Sequence, residues 1–390
     1  MLPSCGVSSG APLPRARIKT TPEDFLVEEL SAYEPSGEGD HLFVRFTKRG
    51  LTTDDVAVAI ARIAGVNVKD IGIAGMKDKV AVATQTVSLP IPPKSGDEFE
   101  ARVRALAIPG VTILSARRHT NKLRTGHLAG NRFTIVVRGI EPGRIDEVVS
   151  TLEAVGRAGL PNAFGPQRFG RGKDNAAKAR AWLSGRVPAP RDGRLRRLLF
   201  SALQAELFNR VLDVRVAQGT WATPLPGDLV KRRHSHALFS WTGRAEEDDA
   251  PHPSEDPPLP TGPMFGVKMR SPEGEPLAIE QRIYSEGLGD GIDLASAKNL
   301  GEGTRRPLCL WVEGLRIERL SSDQEAREGM VQGVHRAVDT GVDRRGLRVH
   351  FVLPKGGYAT SVLGTALALD TDASPSNDSA DRPIEPAEFV

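Results

Sequence analysis

An aspartate stands between two lysines at Lys77-Asp78-Lys79, after Gly72-Ile73-Ala74-Gly75-Met76 and before Val80-Ala81-Val82-Ala83-Thr84-Gln85. The apolar residues 71–74 predict a short strand. Gly75 has no Cβ and permits a sharp turn. Small and β-branched residues then run to Leu89, and Pro90 ends them. A carboxylate held at a strand–turn–strand junction beside cations stays ionised at neutral pH. That is the state a carboxylate nucleophile requires. The same spacing also describes a hairpin loop with a solvated turn aspartate, and a motif this short does not separate the two.

Other residues with chemistry to offer sit on predicted strands and loops. Between Gly130 and Arg138 the period-2 pattern puts Asn131, Phe133, Ile135 and Val137 on one face. A buried amide needs a partner. Asn131 therefore either caps the strand end or hydrogen-bonds the polar edge of a ligand, with Phe133 beside it as a stacking surface. Phe25 lies on the apolar side of a strand near residues 22–29, and Phe351 shares a face with Leu347, Val349 and Leu353. Arg117, Arg118, His119, Lys122 and Arg124 form a basic run before Gly126-His127. The segment Asn162–Arg171 is too irregular for a helix or strand. It is either a glycine-rich interdomain loop or one whose backbone and Arg168 or Arg171 approach phosphates.

These residues must be positioned by surrounding elements. A strand is predicted at 41–47, with Leu42, Val44 and Phe46 on one face. A helix is predicted from Thr52 to Ala64, with a Thr52/Asp55 capping box and a Gly65 stop. Its expected buried stripe is Val56, Ala59, Ile60 and Ile63. Residues 97–115 read as further short strands, 144–158 as a helix ended by Gly159, and 174–184 and 193–217 as helices. The last has Leu195, Leu198, Leu199, Ala202, Leu203 and Leu207 inside, and Arg191, Arg194, Arg196 and Arg197 crowd its start against the macrodipole. Residues 260–266 are turn-dense, 276–303 helical in pieces, 311–317 strand-like and 321–338 helical. A last strand, 347–353, leads through a turn into a short closing element. Residues 1–14 are expected to fray. The acidic stretch 244–259 and the tail 370–390 are expected to be disordered by composition. Strand and helix alternation with hairpin-like pairs predicts an α+β sheet domain.

The bulk numbers narrow the classes. At 390 residues, 39% hydrophobic and 26% charged, the chain has the composition of a soluble protein of two or three domains. No apolar run reaches the roughly 18 residues of a membrane span, and the first residues lack the pattern of a signal peptide. Two cysteines, Cys5 and Cys309, support no disulfide framework and suit a reducing cytoplasm. The net charge of +3 conceals an asymmetry. Residues 244–259 and 370–390 each carry six acids against one base, which leaves +13 on the remainder. A body with that excess attracts polyanions. Scattered histidines offer no metal ligand set, and neither a Walker loop nor a Gly-x-Ser-x-Gly elbow is present. One well-placed acid, aromatics on strand faces, a nearby Asn and a basic surround fit an enzyme acting on an RNA base.

Gly72–Gln85 resembles the signature segment of the tRNA pseudouridine synthase D family. The resemblance extends to Pro22-Glu23-Asp24-Phe25-x-Val27-Glu28-Glu29 and to the segment from Lys122 to Phe133. It continues through Asn162–Gly170, Ser201–Asn209, Pro260–Pro263 and Phe351–Thr360, in family order over about residues 20–365. Two features depart from the pattern: the extra length of 244–259, and Gly364-Thr365 where the family often has Arg-Glu.

The resemblance implies a pseudouridine synthase-type domain with a mixed, mainly antiparallel sheet and flanking helices. That domain would comprise residues 15–160 and 312–369, split by an inserted α/β domain at 161–311. It implies Asp78 as catalytic nucleophile, with Phe25, Asn131 and Phe351 contacting the uridine and Phe133 as an added stacking candidate. Lys77, Lys122, Arg124, Arg168 and Arg171 are expected to contact RNA. The implied substrate is uridine-13 of a tRNA, with no metal and no organic cofactor. A monomer acting in the cytoplasm, with no membrane association, is expected. The competing readings are a non-catalytic RNA-binding module, a synthase acting on another RNA, and a retaining glycosidase. The last lacks a candidate second carboxylate about 5 Å away.

Overall fold

The computed structural model describes residues 12–93, 96–170, 172–233, 237–243, 257–289, 292, 294–297, 299–320 and 346–370. The helix expected at 321–338, most of the acidic stretch 244–259 and nearly all of the tail lie outside the described residues. Two compact units emerge, one built on residues 158–310 and one on the segments flanking it.

In chain order the first elements are β1 (Arg15–Arg17), β2 (Phe25–Ser31), β3 (His41–Arg49), α1 (Thr53–Ala64) and β4 (Gly72–Ile73). Next come β5 (Val82–Pro90), α2 (Gly96–Arg104), β6 (Val111–His119), β7 (Leu128–Arg138) and α3 (Ile145–Ala158). Thr52 caps α1 as its sequence predicts: its Oγ1 accepts from Asp55 N at 3.1 Å, and Thr52 N donates to Asp55 Oδ2 at 2.9 Å. Gly65, in the left-handed region at φ 73°, ends it. The buried stripe is rotated from the expected one. Val56, Ala57, Ile60, Ala61 and Ala64 face inward, and Ile63 is exposed. The reason is Thr53, which is fully buried and hydrogen-bonded beneath the helix and so sets its phase. Residues 96–104 form a helix, not the strand expected there. Phe99 and Val103, four apart, bury on one side.

The unit at 158–310 contains β8 (Leu160–Pro161), α4 (Asn175–Leu183), α5 (Gly193–Ala217), β9 (Leu229–Lys231) and β10 (Leu238–Ser240). It continues with β11 (Leu259–Met264), α6 (Gly274–Leu288), β12 (Thr304–Pro307) and β13 (Cys309–Leu310). The three helices share a core that includes Ala179, Phe200, Leu203, Leu207 and Ile283. Leu195, expected inside, is exposed. The segment that reads as turn-dense is a strand buried along its whole length, in a sheet ordered β10-β9-β11-β12. Two buried ion pairs hold this sheet. Arg215 forks onto Asp228 at 2.9 and 2.8 Å. Arg305 forks onto Glu280 at 2.8 and 2.7 Å while also bonding Thr261. Burial pushes the Glu280 carboxyl above its ordinary range, and Arg305 opposes that shift.

The chain then returns to the other unit with β14 (Glu313–Leu320), β15 (Gly346–Pro354), α7 (Ala359–Leu363) and β16 (Ala368–Asp370). Its sheet runs β14-β15-β7-β2-β5-β3-β6, with β1, β16 and β4 paired off that path. Pairing is antiparallel along the path except for the parallel pair β2–β5. This is the mixed α+β architecture expected, built on a large mixed sheet. On one face Leu42, Val44, Phe46, Val87 and Leu89 pack with Val56 and Ile60 of α1 and Phe99 and Val103 of α2. No described helix is long and apolar enough to cross a membrane.

The paired charges of 158–310 generate a direct expectation. Asp228→Ala leaves a buried guanidinium without its carboxylate and lowers stability by about 3–5 kcal/mol. Urea denaturation measures this, and a loss below about 1 kcal/mol would show that the pair is dispensable.

Candidate active site

Strand β4 pairs with β5 through Gly72–Ser88 and Ile73–Val87, so residues 74–81 form a broad connection and not a tight hairpin. Gly75 does not adopt the left-handed φ of a sharp turn. A Cβ there would lie 3.4 Å from Lys77 Nζ and 3.8 Å from Glu29 Oε2. Both are ordinary van der Waals distances, so neither a left-handed φ nor close approach accounts for a glycine here.

Side chains from three elements pin this connection to the sheet. Lys77 Nζ lies 2.9 Å from Glu29 Oε2 of β2, with both side chains buried. Lys77 N donates to Thr53 Oγ1 at 2.9 Å, and Thr53 Oγ1 donates to Gln85 Oε1 at 3.0 Å. Glu29 Oε1 also accepts from Thr86 N at 3.3 Å. From β3, Lys48 Nζ donates to the carbonyl oxygens of Asp78 at 2.7 Å and Leu51 at 2.6 Å. Lys48 is fully buried. Burial lowers its ammonium to a pKa of about 8, while the nearby Asp78 carboxylate opposes the shift.

Held in this way, the Asp78 carboxylate projects outward with 61% of its side chain exposed. Its counter-ion is Lys19, whose Nζ lies 2.6 Å from Oδ2. Lys19 has an uncommon left-handed φ of 59°, and its ammonium stands 4.4 Å from the centroid of the Phe25 ring. The flanking lysines do not serve as the cationic neighbours that the sequence suggests. Lys79 is exposed. Lys77 turns inward and has no free face for the RNA contact expected of it, because its ammonium is consumed by Glu29.

Beneath Asp78, register aligns residues that are far apart in sequence. Lys48 pairs with Ala83, Ala83 with Val27, Val27 with Phe133, and Phe133 with Phe351. One row therefore crosses five strands on a single face. Phe25 joins it from the neighbouring row. The Phe25 and Phe133 ring centroids are 6.0 Å apart and edge-on, and those of Phe133 and Phe351 are 5.4 Å apart and tilted. All three rings are buried, so they form a packed floor and not exposed platforms. Asn131 pairs with Glu29 and Leu353. Its Oδ1 is buried and has no hydrogen-bond partner, so the amide does not satisfy itself within the strand.

The loop carrying Lys122 and Arg124 is tied to the opposite face of this sheet, where Leu123 clusters with Phe43, Ala74 and Leu128. Leu123 N donates to Ser88 Oγ at 2.9 Å, and Gly126 N to Ala74 O at 2.8 Å. Lys122 Nζ donates to Lys69 O at 3.1 Å, and Arg124 is exposed. Arg168 belongs to the other unit. There its Nη2 donates to Ser201 Oγ at 2.6 Å, and its guanidinium lies 5.5 Å from the Phe164 ring, which Arg306 approaches to 4.2 Å. Arg171 lies outside the described residues.

The family model for tRNA pseudouridine synthase D (TruD) matches residues 10–181 and 191–365. The chain belongs to the tRNA pseudouridine synthase D family. It is 42% identical over 365 residues to tRNA pseudouridine synthase D of Anaeromyxobacter dehalogenans, covering 92% of this chain and 94% of that one. It is 35% identical over 411 residues to the protein of that name from Geobacter sulfurreducens, covering 89% and 92%. The fold is similar to a crystal structure of the putative tRNA pseudouridine synthase D from Methanosarcina mazei. The TM-score is 0.64 at 21% identity, over 91% of this chain and 94% of that one. Membership makes the chain a tRNA pseudouridine synthase, an isomerase.

Sequence reasoning about this synthase missed Lys19, Glu29, Lys48, Thr53 and Gln85. A signal was present for three of them. Glu29 follows Phe25 and Val27 at period 2, Lys48 follows Leu42, Val44 and Phe46, and Gln85 falls between Ala83 and Val87. A polar residue that continues an apolar face is buried against a partner or terminates the strand.

The anchoring arrangement separates the two lysines beside Asp78. Lys77→Met leaves Glu29 as a buried, unpaired carboxylate and costs about 3–5 kcal/mol. Lys79→Ala, at an exposed site, changes stability by less than about 0.5 kcal/mol. Thermal or urea melts of the two variants check this, and equal effects would contradict the buried pairing.

Proposed function

We propose that this protein converts uridine-13 of tRNA to pseudouridine, with Asp78 as the catalytic carboxylate. The observation that carries the reading is the placement of Asp78. Its backbone is fixed from below by Lys48 and by the bonded neighbours of Lys77, and its carboxylate is exposed above a floor of Phe25, Phe133 and Phe351. The assignment of position 13 rests on the motif resemblance across the chain.

In this reading the target uridine leaves the RNA stack and enters beside the Lys19–Asp78 pair. The uridine packs against the floor that Phe25, Phe133 and Phe351 form; contact with these largely covered rings offsets less of the unstacking cost than the roughly 1–3 kcal/mol of a base on an open aromatic ring. The unpaired Oδ1 of Asn131 accepts a hydrogen bond from the uracil imide or a ribose hydroxyl. Lys19, 2.6 Å from Oδ2, holds the Asp78 carboxylate in place. Asp78 then assists cleavage of the C1′–N1 bond, by attacking C1′ or by abstracting a ribose proton. The freed uracil turns, C5 bonds to C1′, C5 loses its proton and N1 gains one. The net change is an isomerisation, with nothing added or removed.

The remaining assignments follow the same reading. Residues 15–160 and 312–369 form the catalytic domain, and 161–311 form the inserted α/β domain. Lys122 and Arg124 meet RNA phosphates on the catalytic domain, and Arg168 and Arg171 meet them on the inserted one.

Unmodified tRNA transcript incubated with the protein is expected to gain one pseudouridine at position 13, mapped by chemical probing and sequencing. Asp78→Asn lowers the rate by about 10³-fold or more and leaves RNA affinity within about threefold. Asn131→Ala, which removes one hydrogen bond from the bound uridine, lowers kcat/KM by roughly 10–100-fold. Full turnover by Asp78→Asn would remove Asp78 from the mechanism. A product at another position would remove uridine-13.

A further inference from the structure

Lys48 is a full-length ammonium side chain inside a β-sheet core, at a position where its strand otherwise presents Leu42, Val44 and Phe46. A buried charge of this kind is retained only where fixed partners compensate for its lost hydration. Its two partners are both backbone carbonyls. One is Leu51 O, in the turn that starts α1, and the other is Asp78 O. The ammonium is not consumed by a carboxylate salt bridge of its own. It acts on the very residue whose side chain is held out above the floor, and it lies in the register row of Phe133 and Phe351.

We infer that Lys48 is a positioning residue for the isomerisation: its protonated amine fixes the Asp78 main chain and supplies positive charge beneath the Asp78 carboxylate. The inference deepens the reading of Asp78 given above and rests on it. Lys48 does not touch the substrate, since its side chain is enclosed by β3, the α1 turn and the 74–81 connection.

The inference has a consequence in pH. The charged groups around Lys48 are Asp78 and Lys77 on the connection and Asp55 on α1. Lys19 and Glu29 are beyond them, paired with Asp78 and Lys77 respectively. The two acids hold the proton on Lys48, and Lys77 and burial work against it, so the ammonium is lost near pH 8 in place of its ordinary 10.5. Above that pH the bonds to Leu51 and Asp78 lose their charge assistance, and the rate falls. Stability moves in the opposite direction. Between the folded and unfolded pKa values the unfolded chain binds more protons at this group, so its linked contribution to stability rises with pH. A loss of rate from pH 8 to 9 is therefore not a loss of fold.

The experiment measures kcat/KM against pH from 6 to 10 on full-length unmodified tRNA, with RNA affinity and melting temperature measured in parallel. It compares the wild-type protein, Lys48→Met and Lys48→Arg. Wild-type kcat/KM is expected to fall above about pH 8, by tenfold per pH unit at the limit. Lys48→Met keeps RNA affinity within about threefold and loses at least about tenfold in kcat at pH 7.5. Its profile keeps only whatever alkaline fall the RNA itself causes. Lys48→Arg, which holds its proton throughout this range, removes the limb near pH 8. Wild-type kcat in Lys48→Met overturns the inference, and so does a limb near pH 8 that survives in Lys48→Arg. If neither variant folds, the wild-type profile decides: a flat kcat/KM between pH 8 and 9 overturns it. Asp78→Asn separates the two levels. An active Asp78→Asn sinks the reading of Asp78, whereas an inactive one beside wild-type behaviour in the Lys48 variants sinks only the role of Lys48.

Discussion

The burial of Lys48, Lys77 and Glu29 under one eight-residue connection constrains everything around it. Each charge removed from water carries a desolvation penalty of several kcal/mol unless its partners are fixed. The sheet supplies those partners from β2 and β3, and α1 supplies Thr53. The connection carrying Asp78 therefore has one position in which its charges are satisfied. Small displacements of residues 74–81 would break several charge-assisted bonds at once. Rigidity at Asp78 is thus a product of electrostatics as much as of packing. It is combined with an exposed carboxylate, which a purely apolar anchoring of so short a segment would not produce.

Around that anchor the sheet solves a second problem, which is to bring three phenylalanines together from strands that start at residues 25, 128 and 346. Antiparallel register does this directly, because paired residues on neighbouring strands point to the same face. Phe133 meets Phe351 across β7–β15, and Phe25 reaches the same cluster from β2. The parallel pair β2–β5 extends the row to Ala83 and Lys48. The unit at 158–310 stands on its own core and on two forked Arg–carboxylate pairs. Its all-buried strand β11 tolerates Pro263 because the pairing with β9 stops at Pro260.

Much of this was legible in the chain. Period-2 alternation assigned Asn131, Phe133 and Phe351 to the faces they occupy, and the Thr52/Asp55 box marked the start of α1 to within one residue. Helices at 174–184 and 193–217 were both expected, the second from its leucine spacing. What failed did so for identifiable reasons. The helix at 96–104 exposes most of its residues and buries only Phe99 and Val103, too few to establish a helical period by eye. The strand at 259–264 is hidden by two prolines and a glycine, which local propensity assigns to turns. Ile63 of α1 faces water because Thr53, a polar residue with buried partners, outweighs the apolar count in setting the helix phase.

The sequence by itself determined the α+β class, the faces of the main strands and the membership of the family, since these depend on local periodicity and on motifs read in order. Only the tertiary structure decided which cation accompanies Asp78. Lys77 and Lys79 are its chain neighbours, yet the side chain of an adjacent residue can point to the opposite side of a loop. Lys19, fifty-nine residues earlier, is brought to 2.6 Å because the left-handed turn before β2 aims it across the Phe25 ring. The same holds for Lys48, a conspicuous polar residue in an apolar strand until the fold places the carbonyl oxygen of Asp78 above it.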